Sequence, residues 1–179
     1  VVKTLQEPFR TCLILLPLTG LRILEACHLC ASDVRFDHPP WIVLRVRDSK
    51  GDDRLVPVLR AGAPLLEHYL EDTWPSLPTE PPADPCLFPH PLLKGPITPG
   101  QVRERLRALR SRMSGVTPHV LRHTYATLLE RGGVRGLALS AVLGHKDPKT
   151  TKRYVHHAVD DLAQRLDAVP TGWLGGTTP

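Results

Sequence analysis

The stretch PSLPTEPPADPCLFPHPLLKGPITP, residues 75–99, gathers many of the chain's 19 prolines. Proline has no backbone N–H and clashes with the preceding helical turn, so neither a helix nor a central strand can run through this segment. Any fold the chain adopts must carry a long irregular loop here. Strong helical patterns resume on both sides, so the loop reads as an excursion within one domain. At 179 residues the chain is long enough for one domain with a real core.

Around the loop the apolar spacing gives a coarse map. Residues 8–18 read as a mostly apolar helix, and 22–31 as a second one with Ile23, Leu24 and Cys27 at helical spacing. The period then changes. Ile42, Leu44 and Val46 alternate, DSKGDD makes a polar turn, and Leu55–Val58 returns, which predicts a β-hairpin with an edge proline at Pro57. APLLEHYLEDTW reads as a helix opened by Pro64. Further helices are expected over 98–113, 118–131, 134–143, near 148–157 and near 159–168. The fold class is therefore α+β, mainly α-helical, with a small antiparallel β-sheet.

Composition narrows the function. Hydrophobic residues make up 41% of the chain, a globular proportion, and the net charge is +5 with a pI near 9.3. Such an excess favours a polyanionic partner such as nucleic acid; a solvated basic surface is the alternative. No apolar run approaches the roughly 20 residues that span a bilayer, and no signal-peptide pattern opens the chain, so no membrane partner and a cytoplasmic setting are expected. Four cysteines are too few for a disulfide scaffold. Cys27 and Cys30 form a C-x-x-C without a second ligand pair, so buried thiols are expected in place of a zinc site.

The segment TPHVLRHTYATLLERGG, residues 117–133, carries its own start and stop: Thr117 suits the cap, Pro118 the first helical position and Gly132–Gly133 the end. At about 100° per residue, His119, Arg122 and His123 share one arc while Leu121, Tyr125 and Leu128 share another. The polar trio sits where a helix presents unpaired N–H groups and partial positive charge, a setting suited to phosphate. A solvent-facing basic stripe is the competing reading.

Other pieces bear on that choice. TGLRILEA places Arg22 at a helix start, with Glu25 three residues on and able to orient it. Lys50 lies in the hairpin turn, His145 follows the helix-ending Gly144, and Tyr154 comes nine residues later. Together, TGLRILEA, SKG…RLVPV, HVLRH and LGHKDPKTTKRYVH resemble the catalytic domain of the tyrosine recombinase (phage integrase) family, from about residue 5 to about residue 165. The resemblance implies the DNA breaking-rejoining fold over residues 1–170, with 171–179 as a C-terminal tail. It also implies the catalytic set Arg22, Lys50, His119, Arg122, His145 and Tyr154, with Glu25 supporting and His123 a supporting, packed residue. Two departures stand out. The turn after Lys50 is acidic, and the chain begins almost at the catalytic domain, without the N-terminal core-binding domain usual in the family. That leaves either a fragment or a minimal form.

In this reading Arg22 and Arg122 fork onto the non-bridging oxygens of a phosphodiester, and His145 adds a donor. Tyr154 attacks phosphorus, His119 takes or relays its proton, and Lys50 protonates the leaving 5′ oxygen. The product is a covalent 3′-phosphotyrosine, whose energy a second strand recovers, so site-specific integration, excision or resolution needs no ATP. No phosphate-binding loop of the ATPase type occurs, and the acidic residues read as turn and cap residues, so neither cofactor nor metal is expected. Arg103, Arg105, Arg107, Arg110 and Arg112 on the 98–113 helix are candidates for double-stranded DNA backbone contacts. In the family an amphipathic segment such as the one after Tyr154 often docks on a neighbouring subunit, so the resemblance implies self-association on DNA as a dimer or tetramer, with intramolecular docking equally open, and a nucleoid-associated setting. Two alternatives remain: a type IB topoisomerase, which shares the chemistry, and a catalytically idle DNA-binding module.

Overall fold

The computed structural model describes residues 5–38, 41–47, 53–77, 84–109 and 114–144. Lys50, Arg110, Arg112, His145 and Tyr154 lie outside the described residues, as do the helices expected after 144 and the tail 171–179.

Helix α1 (Phe9–Thr19) buries every residue except Arg10 and Ile14. It is apolar on all sides because it runs through the middle of the helical layer, packed against α5 (Pro118–Arg131), α2 (Ile23–Cys27) and α4 (Pro99–Ala108). Each of its fully buried leucines, such as Leu15, Leu16 and Leu18, contributes on the order of 1.5–3 kcal/mol. The helix ends at Gly20, which adopts φ 62°, with its N–H on the Leu16 carbonyl at 2.9 Å. A Cβ at Gly20 would lie 2.2 Å from Cδ1 of the fully buried Tyr125. Both the left-handed backbone and the ring contact demand glycine. Gly20→Ala should cost about 3 kcal/mol by strain and overpacking. Thermal denaturation should show this as a fall in Tm of about 10 °C.

Helix α2 is shorter than the 22–31 segment expected from spacing. After Cys27 the chain leaves the helix to pair with the proline-rich excursion: Ala31 N–H donates to the Pro85 carbonyl at 2.9 Å and Leu87 N–H to the Leu29 carbonyl at 2.7 Å. Hydrogen bonds to this distant segment of the same chain override the local helical pattern. They set Cys30 opposite Cys86 in an antiparallel bridge. Cys12 and Cys27 are buried as expected, whereas Cys30 and Cys86 are partly exposed.

The sheet has three antiparallel strands, β1 (Val34–His38), β2 (Trp41–Val46) and β3 (Arg54–Pro57), in that order. The expected hairpin is β2–β3, paired from Val43 opposite Pro57 to Val46 opposite Arg54. Pro57 indeed lies on an edge strand. Strand β1 adds to the expected hairpin, and β2 does not bury one face only: Trp41, Ile42, Val43 and Leu44 are all buried. A continuous apolar run of this kind marks a strand covered on both faces.

Beyond the sheet, α3 (Ala63–His68) carries Pro64 in its first turn and continues as a wider π turn over Tyr69–Thr73. Its aromatic donors tie down the proline-rich excursion. The Tyr69 hydroxyl donates to the Leu87 carbonyl at 2.8 Å and Trp74 Nε1 to the Cys86 carbonyl at 3.1 Å. Helix α4 opens on Thr98, which exchanges a reciprocal cap with Gln101. Helix α6 (Gly136–Leu143) ends at Gly144, with φ 67°.

Candidate active site

Helix α5 forms where its caps predict. The Thr117 hydroxyl accepts from the Val120 N–H at 3.2 Å, Pro118 occupies the first position and Gly132 ends the helix. Tyr125 anchors the inward face, its hydroxyl donating to the Pro57 carbonyl at 2.9 Å. The polar trio does not act as one exposed stripe. Arg122, next to Tyr125 on the helical wheel, turns inward and is half-buried, while His119 and His123 stay exposed. The packing expected for His123 is thus absent, because its position faces away from the arc of Leu121, Tyr125 and Leu128.

Arg122 donates from Nη1 to the Gly20 carbonyl at 2.6 Å and from Nη2 to the Leu143 carbonyl. Arg22, in extended conformation at the cap of α2, donates from Nη2 to the Gly144 carbonyl at 3.1 Å. Two arginines 100 positions apart in the chain therefore meet on adjacent carbonyls at the end of α6. The exposed C-terminal carbonyls of a helix carry partial negative charge, which suits them to hold guanidinium groups.

Glu25 binds Arg22 as its spacing predicts. Oε1 accepts from Arg22 Nη1 and Oε2 from the Arg22 backbone N–H, at 2.8 and 2.7 Å. It is more than a surface partner, since Oε2 also accepts from Arg54 Nη2 at 2.8 Å. Arg54 is buried at 7% exposure, and its Nε donates to the Val142 carbonyl at 3.1 Å. The carbonyls of Val142, Leu143 and Gly144 thus each receive a different arginine. Sequence reasoning gave Arg54 no role. The available signal was a charged residue opening an otherwise apolar strand, RLVP.

Two guanidinium groups, of Arg22 and Arg54, share the Glu25 carboxylate, with that of Arg122 close by, and the electrostatics register the crowding. Burial first, and then the neighbouring Arg22, push Arg122 down to about 10, still charged at neutral pH. Burial alone would raise the Glu25 carboxyl, but Arg54 and then Arg22 outweigh it and leave the group below its ordinary value of 4.5. A carboxyl lowered on folding stabilises the fold above its unfolded value, and that stabilisation disappears as pH falls through the folded value. Denaturant unfolding between about pH 3 and 6 should therefore show the native protein losing stability toward acid more steeply than Glu25→Gln.

Of the helix α4 arginines, Arg103, Arg105 and Arg107 are exposed. Arg103 and Arg107 line a pocket with Leu106, Val116, Thr117 and Pro118, against the start of α5. Arg105 points elsewhere, its guanidinium 5.1 Å from the centre of the Phe9 ring. Among the described residues, no three His, Cys, Asp or Glu side chains gather in a metal-binding group, and no helix is long and apolar enough to cross a membrane.

The sequence matches the phage integrase family over residues 2–160. This chain belongs to the phage integrase family. The family member is 35% identical over 164 residues to a tyrosine recombinase of Thermosipho africanus (strain TCF52B), covering 89% of this chain and 52% of that protein. It is 34% identical over 149 residues to tyrosine recombinase XerD of Caulobacter vibrioides, covering 81% of this chain and 48% of the relative. The chain thus spans about half the length of these curated relatives. Among solved structures, the XerA recombinase aligns with TM-score 0.65 and 29% identity over 88% of this chain and 57% of that one. The XerH site-specific recombinase bound to its difH substrate aligns with TM-score 0.65 and 19% identity, over 90% of this chain and 48% of that one. The latter likeness is one of fold. These structures agree with a mainly helical catalytic domain carrying a small antiparallel sheet.

Proposed function

We propose that residues 1–170 of this integrase-family chain form the catalytic domain of a site-specific DNA recombinase that cleaves and rejoins strands through a 3′-phosphotyrosine. The observation that carries the reading is the meeting of Arg22 and Arg122 at the end of α6, on the carbonyls of Leu143 and Gly144, directly before His145. A phosphodiester entering there meets two guanidinium groups whose positive charge is only partly offset by Glu25. Both can turn planar paired donors onto the non-bridging oxygens, where charge builds as phosphorus becomes five-coordinate. His145 supplies a further donor. His119, exposed in the first turn of α5, is free to take the proton of the attacking phenol. Lys50, which lies between β2 and β3 in the sequence, protonates the leaving 5′ oxygen.

The nucleophile follows partly by elimination. The chain has three tyrosines. Tyr69 and Tyr125 are buried, and their hydroxyls are committed to the Leu87 and Pro57 carbonyls. Burial pushes both phenols well above their ordinary value, away from the phenolate an attack requires. Tyr154 is the remaining phenol. The relatives named as recombinases, and the structures of such enzymes on DNA, support double-stranded DNA as the partner. Self-association on DNA and a place on the nucleoid complete the proposal. Arg103 and Arg107, beside the start of α5, are the backbone-contact residues on α4 in this arrangement.

The test is a pool of 5′-labelled duplexes with randomised arms, each nicked a few nucleotides 3′ of the centre so that the freed fragment diffuses away. A protein–DNA band resistant to denaturation, formed with EDTA present, is the expected result. A chain that binds the pool and never forms such a band would overturn the reading.

A further inference from the structure

We propose that Arg54, although shielded from DNA, is a positioning residue for strand cleavage: it locks Glu25 to the end of α6, so that Arg22 and Arg122 address one phosphate. The inference rests on the recombinase reading above and adds a residue to it.

The geometry singles out Arg54. It opens β3, and it reaches two other elements at once: Glu25 on α2 through Nη2 at 2.8 Å, and the Val142 carbonyl on α6 through Nε at 3.1 Å. Its side chain is 9% exposed, against 50% for Arg22. A Cβ placed on Gly144 would lie 2.9 Å from the Arg54 guanidinium carbon, so the chain crosses this side chain just where it turns toward His145. Arg54 is thus too enclosed to meet a phosphate, yet it touches the supports of both arginines that can. Glu25 holds Arg22 through side chain and backbone, and the last turn of α6 holds Arg122 and Arg22.

Two physical consequences follow. Without Arg54, the carboxylate of Glu25 has one cation in place of two, and α6 loses its tie to β3. The anchored carbonyls then drift relative to α2, and displacements of about 1 Å in a reacting assembly cost on the order of 100-fold in rate. The Glu25 carboxyl, held low chiefly by Arg54 against its burial, also rises when that partner is removed. Once protonated, it releases its charge-assisted grip on Arg22.

The experiment compares the full chain with Arg54→Met and Arg54→Lys on a nicked duplex recovered from the pool as an adduct. It is run below the melting temperature of each variant. Wild-type adduct formation comes first, because its absence would defeat the recombinase reading and not this inference. Given that adduct, Arg54→Met should bind the duplex within about twofold of wild type while cleaving about 100-fold more slowly. Its acid limb of cleavage should move to higher pH. Arg54→Lys restores the charge but offers no planar fork to span Glu25 and Val142 together, so it should recover the pH profile better than the rate. The Glu25 carboxyl, followed by carbon-detected NMR titration, should move upward in Arg54→Met whether or not DNA is present. If Arg54→Met folds poorly, the Arg54→Lys rate and the titration in that variant decide the matter. A folded Arg54 variant that cleaves at the wild-type rate with an unmoved acid limb would overturn the inference. So would equal losses of binding and cleavage.

Discussion

Tyr154→Phe is expected to abolish the covalent protein–DNA band while leaving affinity for the duplex within about twofold. The change removes one oxygen, and no other group can replace it. An ordinary phenol titrates near 10, so attack on phosphorus at neutral pH needs a nearby base and a stabilised transition state. The other two phenols are buried and held higher still. Hydroxide or water at the same place could hydrolyse a strand but could not leave the protein attached. Affinity survives because it comes from cationic contacts along the backbone, not from the phenol. Gel analysis of the nicked duplexes, alongside a binding titration, separates the two quantities. A band that persists in Tyr154→Phe would place the nucleophile elsewhere and sink the assignment.

The second large effect belongs to Arg122. Arg122→Lys should reduce the cleavage rate by about 10²–10³, close to the loss expected when one prealigned donor to a developing oxyanion is removed. The substitution keeps the positive charge, so a simple charge requirement predicts little change. What is lost is the fork. Arg122 uses separate nitrogens to reach the Gly20 and Leu143 carbonyls, and a single ammonium cannot hold both and still face a phosphate. Binding should weaken only slightly. Arg122→Ala should cleave no faster than the lysine variant. It should also lose stability, on the order of 1–3 kcal/mol, because buried carbonyls lose their donor. Rates measured at saturating DNA, with melting curves for each variant, distinguish a chemical defect from a folding one. A lysine variant that cleaves at the native rate would remove Arg122 from the catalytic set.

The lowered titration of Arg122 bears on both results. A guanidinium pushed down to about 10 by burial and by Arg22 sits in a place with more positive charge than the protein offsets. An incoming phosphate relieves that excess, so binding energy and transition-state stabilisation draw on the same residues. Glu25 prevents the cluster from flying apart in the free protein without cancelling it.

Much of the local architecture is legible from residue types alone. Thr117, Pro118 and the Gly132–Gly133 pair, with Gly133 at φ 87°, fix both ends of α5, Thr98 and Gln101 fix the start of α4, and the prolines after residue 75 forbid regular structure there. These are rules of a few residues' range: a hydroxyl accepts from an amide three positions on, a ring lacks an N–H, and a glycine tolerates positive φ. The pairing of Arg22 with Glu25 was equally readable, being an i,i+3 contact. The early end of α2 was not, because Leu29 and Ala31 find their partners in a segment more than fifty positions away. Strand β1, which sets Val34 opposite Leu44, and the burial of both faces of β2 leave no comparable local signal either.

The sequence by itself determined which chemical groups are present, where α5 starts and stops, and that Arg22 has a carboxylate within reach. Only the tertiary structure decided that Arg122 turns away from its two histidine neighbours, and that Arg22, Arg54 and Arg122 end on successive carbonyls of one helix terminus. Hydrogen bonds from three separate elements to a helix end leave no periodic trace in any of the segments that donate them. Only the packing of α1, α2, α5, α6 and β3 around a shared core brings them within reach.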